Sequence, residues 1–480
     1  MAAVSTSDRD AVSHACAPTS RNIDAVLARL GVWLRDHQNL IRRLQWAVVG
    51  AYAFLLVVPA NLPLPRGAAH IWNNLTLFAQ FVFWGLWWPF VLVSMVLVGR
   101  LWCGLLCPEG ALSERAAEHG RGGAIPHWLQ WKGWPFVAFA LTTVYGQMTS
   151  VYQYPGPALL VLGGSTLAAI GVGWLWGRSK RVWCRFLCPV NGVFNLLAKL
   201  APFHFRVDRD AWAHFPKSRG GHAAPLNCAP LVPVRNMRGA GACHMCGRCS
   251  DYRGAVTLAR RSPNHEIVHV AGDTTDPWQS ALILFGLLGV AAGAFHWGNS
   301  DLYVQIKQYL ADRLADHHLI WPMEPVLPWY VLTNYPDLND TMTPLDGAVL
   351  LLYIGGLAVA MGLCLSFLLA LAARACGPWS WKAFHHLAQA LIPVAGCGVF
   401  LGLSSLTVTM LKTDGVILPF IDALRAALLI GAGSWSLWLG WSIAGTRART
   451  VARRLATTLA FSGAVVLGCL VWGSLFWKIA

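Results

Sequence analysis

The sequence predicts an all-α, polytopic integral membrane protein with about nine transmembrane helices and one small cytoplasmic domain. Hydrophobic residues make up 56% of the 480 residues, charged residues make up 12%, and the mean hydropathy is +0.48. Soluble globular domains usually carry a much larger share of charged residues. The apolar residues gather in runs of roughly 20, which is long enough to cross a hydrocarbon core about 30 Å thick. We place the spans near residues 46–63, 78–99, 134–150, 157–177, 278–297, 345–372, 384–411, 426–445 and 456–477.

The short segments between these runs predict the orientation of the chain. Basic residues concentrate at 42–43, 100–132, 178–185, 374–382 and 447–454, and one alternating topology places all five on the cytoplasmic side. The N-terminal segment lacks the apolar core and small-residue cleavage site of a secretory signal. We therefore expect a multi-pass protein of the bacterial inner (cytoplasmic) membrane, surrounded by lipid, with a cytoplasmic N-terminus. The same bias explains the net charge of +15, so nucleic-acid binding is not expected.

This topology divides the chain into four parts. Residues 1–45 form a cytoplasmic N-terminal segment, 46–201 a four-helix membrane unit, 202–277 a cytoplasmic domain (the polar domain), and 278–480 a C-terminal membrane region with an external loop at 298–344. The external loop is rich in aspartate. Its acidity either follows from the same charge bias or offers a docking surface for a cationic periplasmic redox partner.

One nine-residue motif occurs twice in the four-helix unit. Residues 100–108 read RLWCGLLCP and residues 181–189 read RVWCRFLCP. Cysteines four apart lie about one turn apart on a helix, and the proline is expected to end that helix. An internal repeat indicates one structural unit used twice, so we expect Cys103, Cys107, Cys184 and Cys188 (the motif quartet) to meet. Four thiolates suit a 4Fe–4S or smaller cluster, or a soft metal such as Cu(I), whereas isolated cysteines in apolar helices pack as small hydrophobes.

A second group of cysteines lies in the polar domain. Cys243, Cys246 and Cys249 have the spacing C-x-x-C-x-x-C, and Cys228 stands two residues before a proline. Such a triplet with one distant cysteine is typical of 4Fe–4S ligation, whereas structural zinc sites prefer two separated C-x-x-C pairs. These four cysteines (the domain quartet) are therefore predicted to bind a 4Fe–4S cluster. The cluster would also stabilise a domain that has few large apolar residues.

Residues that flank the repeated cysteines are candidates for tuning the site. They are Arg100, Trp102, Arg181, Trp183 and Arg185. Guanidinium groups favour the thiolate form and balance the charge of a ligated cluster, although arginine and tryptophan are also common membrane-interface anchors. Haem is not expected, because His296 and His385/His386 fall at different depths. No nucleotide-binding fingerprint is present.

At these residues the chain resembles the membrane-bound 4Fe–4S ferredoxin family that includes NapH, MauN, NosR and CcoG. The resemblance covers about residues 46–300 and rests on the two W-C-x-x-x-C-P motifs and the cysteine domain that follows them. It implies electron transfer from membrane quinol or cytoplasmic donors to periplasmic reductases, or copper reduction during oxidase assembly. Relatives usually carry two clusters in the ferredoxin segment. Here Arg253 stands where a further cysteine would fall, and residues 301–480 add membrane spans where some relatives have a soluble domain or end.

The expected function is electron transfer between the domain quartet, the motif quartet, and the quinone pool or a periplasmic redox partner. Such a chain would be a quinol-linked oxidoreductase or an electron-transfer subunit. The alternative is a copper-reducing assembly factor, with Met323, Met342 and His317/His318 as scattered external ligands. A transporter is disfavoured, because the late spans contain almost no intramembrane charge.

Overall fold

The computed structural model describes residues 18–65, 69–215, 226–274 and 276–477. The first 17 residues of the segment 1–45, which bear on the predicted side of the N-terminus, lie outside the described residues, as do residues 216–225 of the polar domain. Within the described ranges the regular structure is helical apart from two pairs of short strands. The prediction of an all-α polytopic fold is confirmed.

Eight helices within the described residues are long and apolar enough to cross a membrane. They are Gln38–Ala60, Leu75–Val98, Pro155–Trp176, Pro277–Asn299, Pro344–Cys376, Ile392–Thr413, Ile421–Arg447 and Val451–Gly473. Each overlaps one predicted span. The run predicted at 384–411 is divided into helices Trp381–Gln389 and Ile392–Thr413, because Pro393 fits the first turn of a new helix better than a helix interior.

The ninth predicted span, 134–150, is the helix Trp134–Met148, which has only 15 residues. It runs beside Pro277–Asn299. Near its start the ring of Trp131 packs against Trp278 with centroids 4.8 Å apart. Near its end the Gln147 Oε1 accepts a hydrogen bond of 2.9 Å from the Trp297 indole. The short helix therefore contacts its longer neighbour near both ends. Because it has only 15 residues, a count of nine spans stays a prediction.

The two ends of the helix assembly differ in what they carry. Both repeated motifs and the polar domain lie at one end (the motif side), and the segment 298–344 lies at the other (the far side). The motif side has helices Pro18–Asp36, Leu101–Leu105, Pro108–Glu118, Val182–Phe186, Asn191–Ala198, Arg209–His214 and Glu266–Val270. The far side has helix Asp301–Asp316 and the strand pair Asn334–Tyr335 and Asp340–Thr341.

The polar domain is built on one antiparallel strand pair, Phe203–Val207 and Val256–Arg260. Its small core contains Phe205, Val256 and Leu258, all nearly inaccessible to solvent. Between the strands, the described residues 226–255 form a largely irregular loop that contains the domain quartet. Helix Pro18–Asp36 covers this loop, and the Gln38 side chain donates a 3.0 Å hydrogen bond to the Cys246 carbonyl. With so small a core, the loop depends on contacts from outside the domain.

Candidate iron–sulfur centres

The first copy of the repeated motif begins where helix Leu75–Val98 ends. Gly99 ends the helix with a φ of 67°, which favours glycine. The helix Leu101–Leu105 then holds Cys103, whereas Cys107 is the N-cap of the next helix, Pro108–Glu118, and its Sγ accepts a hydrogen bond from the Gly110 amide. The expectation that both cysteines lie on one helix ended by the proline is wrong. Pro108 begins the next helix instead, because its missing N–H costs nothing there.

The second copy repeats the short helix with its first cysteine, but Pro189 lies in a turn, and the next helix, Asn191–Ala198, begins two residues later. Helix Val182–Phe186 holds Cys184, and Cys188 follows it in a turn. The Cys188 amide donates to the Trp183 carbonyl at 3.0 Å, as the Cys107 amide donates to the Trp102 carbonyl at 2.9 Å. The shared tryptophan carbonyls therefore fix both second cysteines in the same way.

The structure brings the two motif copies together. All four cysteines of the motif quartet line one cavity of about 230 Å³. Cys103 and Cys184 are buried, and Cys107 and Cys188 are partly buried. Contacts between helices Pro108–Glu118 and Pro155–Trp176 are tight, since a Cβ at Gly173 would lie 2.3 Å from the Ser113 carbonyl oxygen. The helices that precede and follow the motifs thus pack closely enough to hold the four thiols in one place.

The domain quartet forms a second site. Cys228, Cys243, Cys246 and Cys249 all line one smaller cavity in the polar domain. The Met245 amide donates to the Cys243 Sγ at 3.4 Å, which is the type of N–H···S contact that stabilises sulfur ligands of a cluster. The loop therefore groups the triplet with its distant fourth cysteine.

The two quartets are neighbours. Gly104, the residue after Cys103, faces the polar domain so closely that a Cβ there would lie 2.0 Å from the His244 carbonyl oxygen and 3.0 Å from the Cys246 amide. His244 lines both cavities and is only 2% exposed. His244, which lies between Cys243 and Cys246 in the chain, thus separates the two sites.

The predicted tuning residues surround the motif quartet. Arg181 is 1% exposed and donates to the Cys103 carbonyl at 2.5 Å and to Glu114 at 2.7 Å. Arg100 is 2% exposed and donates to the Asn191 side chain at 2.8 Å. Both arginines are therefore buried beside the site, and a role as surface anchors is wrong for them.

The remaining tuning candidates flank the motif cysteines, and of these only Trp102 lines the cavity. Trp102 also packs edge to face on Trp87 at 4.9 Å. Trp183 donates to the Glu109 carboxylate at 3.1 Å. Arg185 is half-buried, and its carbonyl accepts a 3.0 Å hydrogen bond from Asn191. Both tryptophans thus contact residues of the site.

Three buried nitrogen atoms next to the motif quartet have no hydrogen-bond partner among the described residues. They are Arg100 Nε, Arg181 Nη2 and His244 Nδ1. Buried polar atoms are normally paired, so an acceptor is missing from this place. Burial also raises the pKa of the Cys184 thiol to about 12, although Arg181 opposes the shift. Metal ligation would favour the thiolate form of Cys184, and an anionic cluster would also accept the unpaired N–H groups. The residues fit a ligated iron–sulfur cluster.

A single metal ion fits less well. No group of three or more His, Cys, Asp or Glu side chains in the described part of the chain is arranged to hold one ion. The four cysteines of a cubane each bind a different iron, so they stand further apart than the ligands of one ion.

Sequence reasoning missed three residues of this region. Glu114 accepts hydrogen bonds from Arg181 and from Arg248, which lies between two cysteines of the domain triplet. Glu109 follows the first Cys-Pro pair, but valine occupies that position in the second copy. Only the asymmetry between the copies could have drawn attention to Glu109, and no sequence pattern marks Glu114 or His244.

Comparison with known proteins supports an iron–sulfur centre at the repeated motifs. Residues 80–124 and 160–208 match the family described as 4Fe-4S binding domain, and each segment contains one copy of the repeated motif. A protein of Escherichia coli (strain K12) named "Putative electron transport protein YccM" is 23% identical over 229 residues, which cover 42% of this chain and 62% of that protein. The chain thus spans less than two thirds of that relative. No solved structure matches the chain significantly.

Proposed function

The chain is similar to membrane-type 4Fe-4S electron-transport proteins, and on that basis we propose that it exchanges electrons with membrane quinone through two 4Fe–4S clusters. The domain quartet would hold one cluster and the motif quartet the other. Each cluster would carry one electron at a time. We place both on the cytoplasmic face of the bacterial inner membrane, in agreement with the basic residues of the motif side.

The contact between the quartets carries this proposal. Gly104 leaves no space between the first motif copy and the loop of His244 and Cys246. Glu114 links the two sites by ion pairs. It binds Arg181 of the second motif copy and Arg248, which lies between Cys246 and Cys249. Such packing holds two redox centres at a fixed, short separation, which electron transfer requires and a purely structural pair of sites does not.

The cavity of the motif quartet supports the choice of quinone. It continues beyond the cysteines into the helix assembly, and most of its wall is aromatic or aliphatic. Its few polar groups include Tyr52, Ser165 and Glu109. A mostly apolar cavity with few polar groups is typical of a site for a small hydrophobic cofactor. Conversion of quinone to quinol takes up two electrons and two protons, so two successive one-electron transfers complete it.

The far side offers a surface for a redox partner. Exposed carboxylates occur at Asp301, Asp312, Asp316, Glu324 and Asp337. Asp340 is excluded from this surface, because it accepts a 2.6 Å hydrogen bond from Tyr154. We propose that a periplasmic redox protein with a basic surface docks here, since complementary charge speeds encounter.

Metal analysis tests the two-cluster proposal. Protein purified without oxygen should contain about eight irons and eight sulfides per chain, with two low-temperature EPR signals after dithionite reduction. The variant Cys103→Ser/Cys184→Ser should retain about four irons and lose one signal. Cys364→Ser is the matched control, because Cys364 is exposed on a membrane helix and lies outside both quartets.

The same experiment identifies the copper alternative. About four irons in both proteins, with copper present in the wild type and lost from the double variant, would refute the two-cluster proposal. The motif quartet would then be a copper site, and the assembly-factor function would take first place.

A further inference from the structure

The cavity of the motif quartet extends from the cysteines toward the far side. Its wall there includes Trp84, Tyr152 and Phe295. Gln80, one helical turn before Trp84, donates a hydrogen bond to the Gln153 carbonyl in the turn that joins helices Trp134–Met148 and Pro155–Trp176. Trp84 therefore lies near the end of the membrane unit that is opposite the cysteines.

Trp84 has an unpaired hydrogen-bond donor. The side chain is only 7% exposed, and its Nε1 has no partner among the residues that the structure describes. The ring packs edge to face on Tyr152, with centroids 4.8 Å apart. A buried indole N–H normally finds an acceptor. The wall residues Phe83, Phe295 and Leu403 offer none, and the Tyr152 hydroxyl does not pair with this N–H, so the donor is free for a molecule that fills the cavity.

We propose that Trp84 Nε1 donates a hydrogen bond to a carbonyl oxygen of a quinone headgroup at this end of the cavity. This assignment rests on the proposed function and names the residue that positions its substrate. A quinone ring is flat and apolar on its faces, which suits aromatic walls, and carries carbonyl acceptors at opposite edges. The ester carbonyl of a phospholipid has the same acceptor chemistry and is the competing occupant.

The position of Trp84 orients the headgroup. Trp88 lines the same cavity one turn further toward the cysteines, roughly 6 Å along the helix axis. In the proposed position the ring lies along the cavity, with one carbonyl at Trp84 and the second on the side of Trp88 and the motif quartet. The substrate itself then covers part of the distance across the membrane that the two quartets, both on the motif side, leave open.

The test compares Trp84→Phe with Trp438→Phe in the full-length protein. Phenylalanine keeps the aromatic shape and removes the N–H. Trp438 is 58% exposed on a membrane helix, so its replacement controls for loss of an indole in general. Binding of decylubiquinone and of a short-chain menaquinone analogue is measured by equilibrium dialysis in detergent. Trp84→Phe should weaken binding of these quinones on the order of tenfold, the loss of one hydrogen bond, with unchanged iron content.

Infrared spectra of the carbonyl region, recorded with isotope-labelled quinone, provide a readout that a change in packing would not reproduce. A carbonyl stretch lowered by hydrogen bonding should appear in wild type and Trp438→Phe and be absent from Trp84→Phe. Equal quinone affinity in Trp84→Phe and wild type would overturn the role of Trp84 and leave the proposed function intact. A wild-type protein that binds neither quinone would refute the quinone function itself. Retained phospholipid that quinone does not displace would assign the cavity to lipid.

Discussion

Gly104 distinguishes the two copies of the repeated motif at the level of single residues. Arg185 occupies the same position in the second copy. The first copy needs glycine because the backbone of His244 and Cys246 lies against it, whereas the second copy has room for a long side chain. The repeat therefore provides two similar cysteine pairs. Glycine lets the first pair pack directly against the backbone of His244 and Cys246, whereas the second copy contacts the polar domain through the Arg181 amide, which donates to the Ala229 carbonyl at 2.8 Å.

Gly104→Ala should separate the two quartets. The added Cβ would overlap the His244 carbonyl oxygen, and the cost of such overpacking is about 1–3 kcal/mol. We expect a lower melting temperature and weaker magnetic interaction between the two reduced clusters in EPR spectra. Gly171→Ala is the control, because a Cβ at Gly171 meets no atom within 4 Å. Identical behaviour of the two variants would show that the close contact at Gly104 is unimportant.

The sequence identifies residues whose chemistry repeats or is regularly spaced. The cysteines and the flanking Arg100 and Arg181 belong to motifs, and the resemblance to membrane-type 4Fe–4S proteins that those motifs predict is confirmed. Glu114 and Trp84 belong to no motif. The role of Glu114 depends on the two arginines that the fold places beside it, and the role of Trp84 depends on the lack of a hydrogen-bond partner among the described residues. Neither can be predicted from a single sequence.

At the level of elements, the spans were predictable and the motif geometry was not. Long apolar runs have one stable solution in a membrane, because a helix satisfies every backbone hydrogen bond internally. A proline after cysteine is compatible both with the end of one helix and with the first turn of the next. In the structure Pro108 lies in the first turn of the next helix. The helix Trp134–Met148 is the one predicted span whose length leaves the crossing open.

Reporter fusions test whether Trp134–Met148 crosses the membrane. We expect green fluorescent protein to be fluorescent when fused after Lys132 or Arg178, and alkaline phosphatase to be active when fused after Gln153. A fusion after Asn61 controls for export, because it follows the first span. If fusions at 132 and 153 report the same side, the helix does not cross. The two motifs would then lie on opposite faces of the membrane. That result would contradict the structure, in which the cysteines of both motifs line one cavity.

At the level of the whole molecule, one buried lysine joins the cysteine-bearing part to the C-terminal membrane region. Lys199 follows helix Asn191–Ala198, and its Nζ donates to Gln279 and Gln389, each at 2.6 Å. Gln279 lies in the first turn of helix Pro277–Asn299, the first of the C-terminal region, and Gln389 ends helix Trp381–Gln389. Nothing in the sequence of residues 301–480 predicted this attachment, because its partners are neutral and distant in the chain.

Lys199 should make stability depend on pH. Burial lowers its pKa from 10.5 to about 8, although Glu266 and Asp276 partly oppose the shift. Below pH 8 the lysine is charged in both the folded and unfolded states, and the folded state bears the full cost of the buried charge. Between about pH 8 and 10.5 the folded state has lost the proton and the unfolded state retains it, so stability rises with pH. The rise should approach about 3 kcal/mol.

The test is thermal unfolding of wild type and Lys199→Met in detergent at pH 7.5, 9 and 10. The difference between the two melting temperatures at each pH isolates the effect of Lys199, because the other titrating groups are the same in both proteins. The melting temperature of the wild type should increase relative to that of the variant as the pH rises. Lys132→Met, which replaces an exposed lysine, should show no such trend. A constant difference between wild type and Lys199→Met across this range would mean that the amides of Gln279 and Gln389 fully compensate the buried charge, and that the junction is a neutral packing contact.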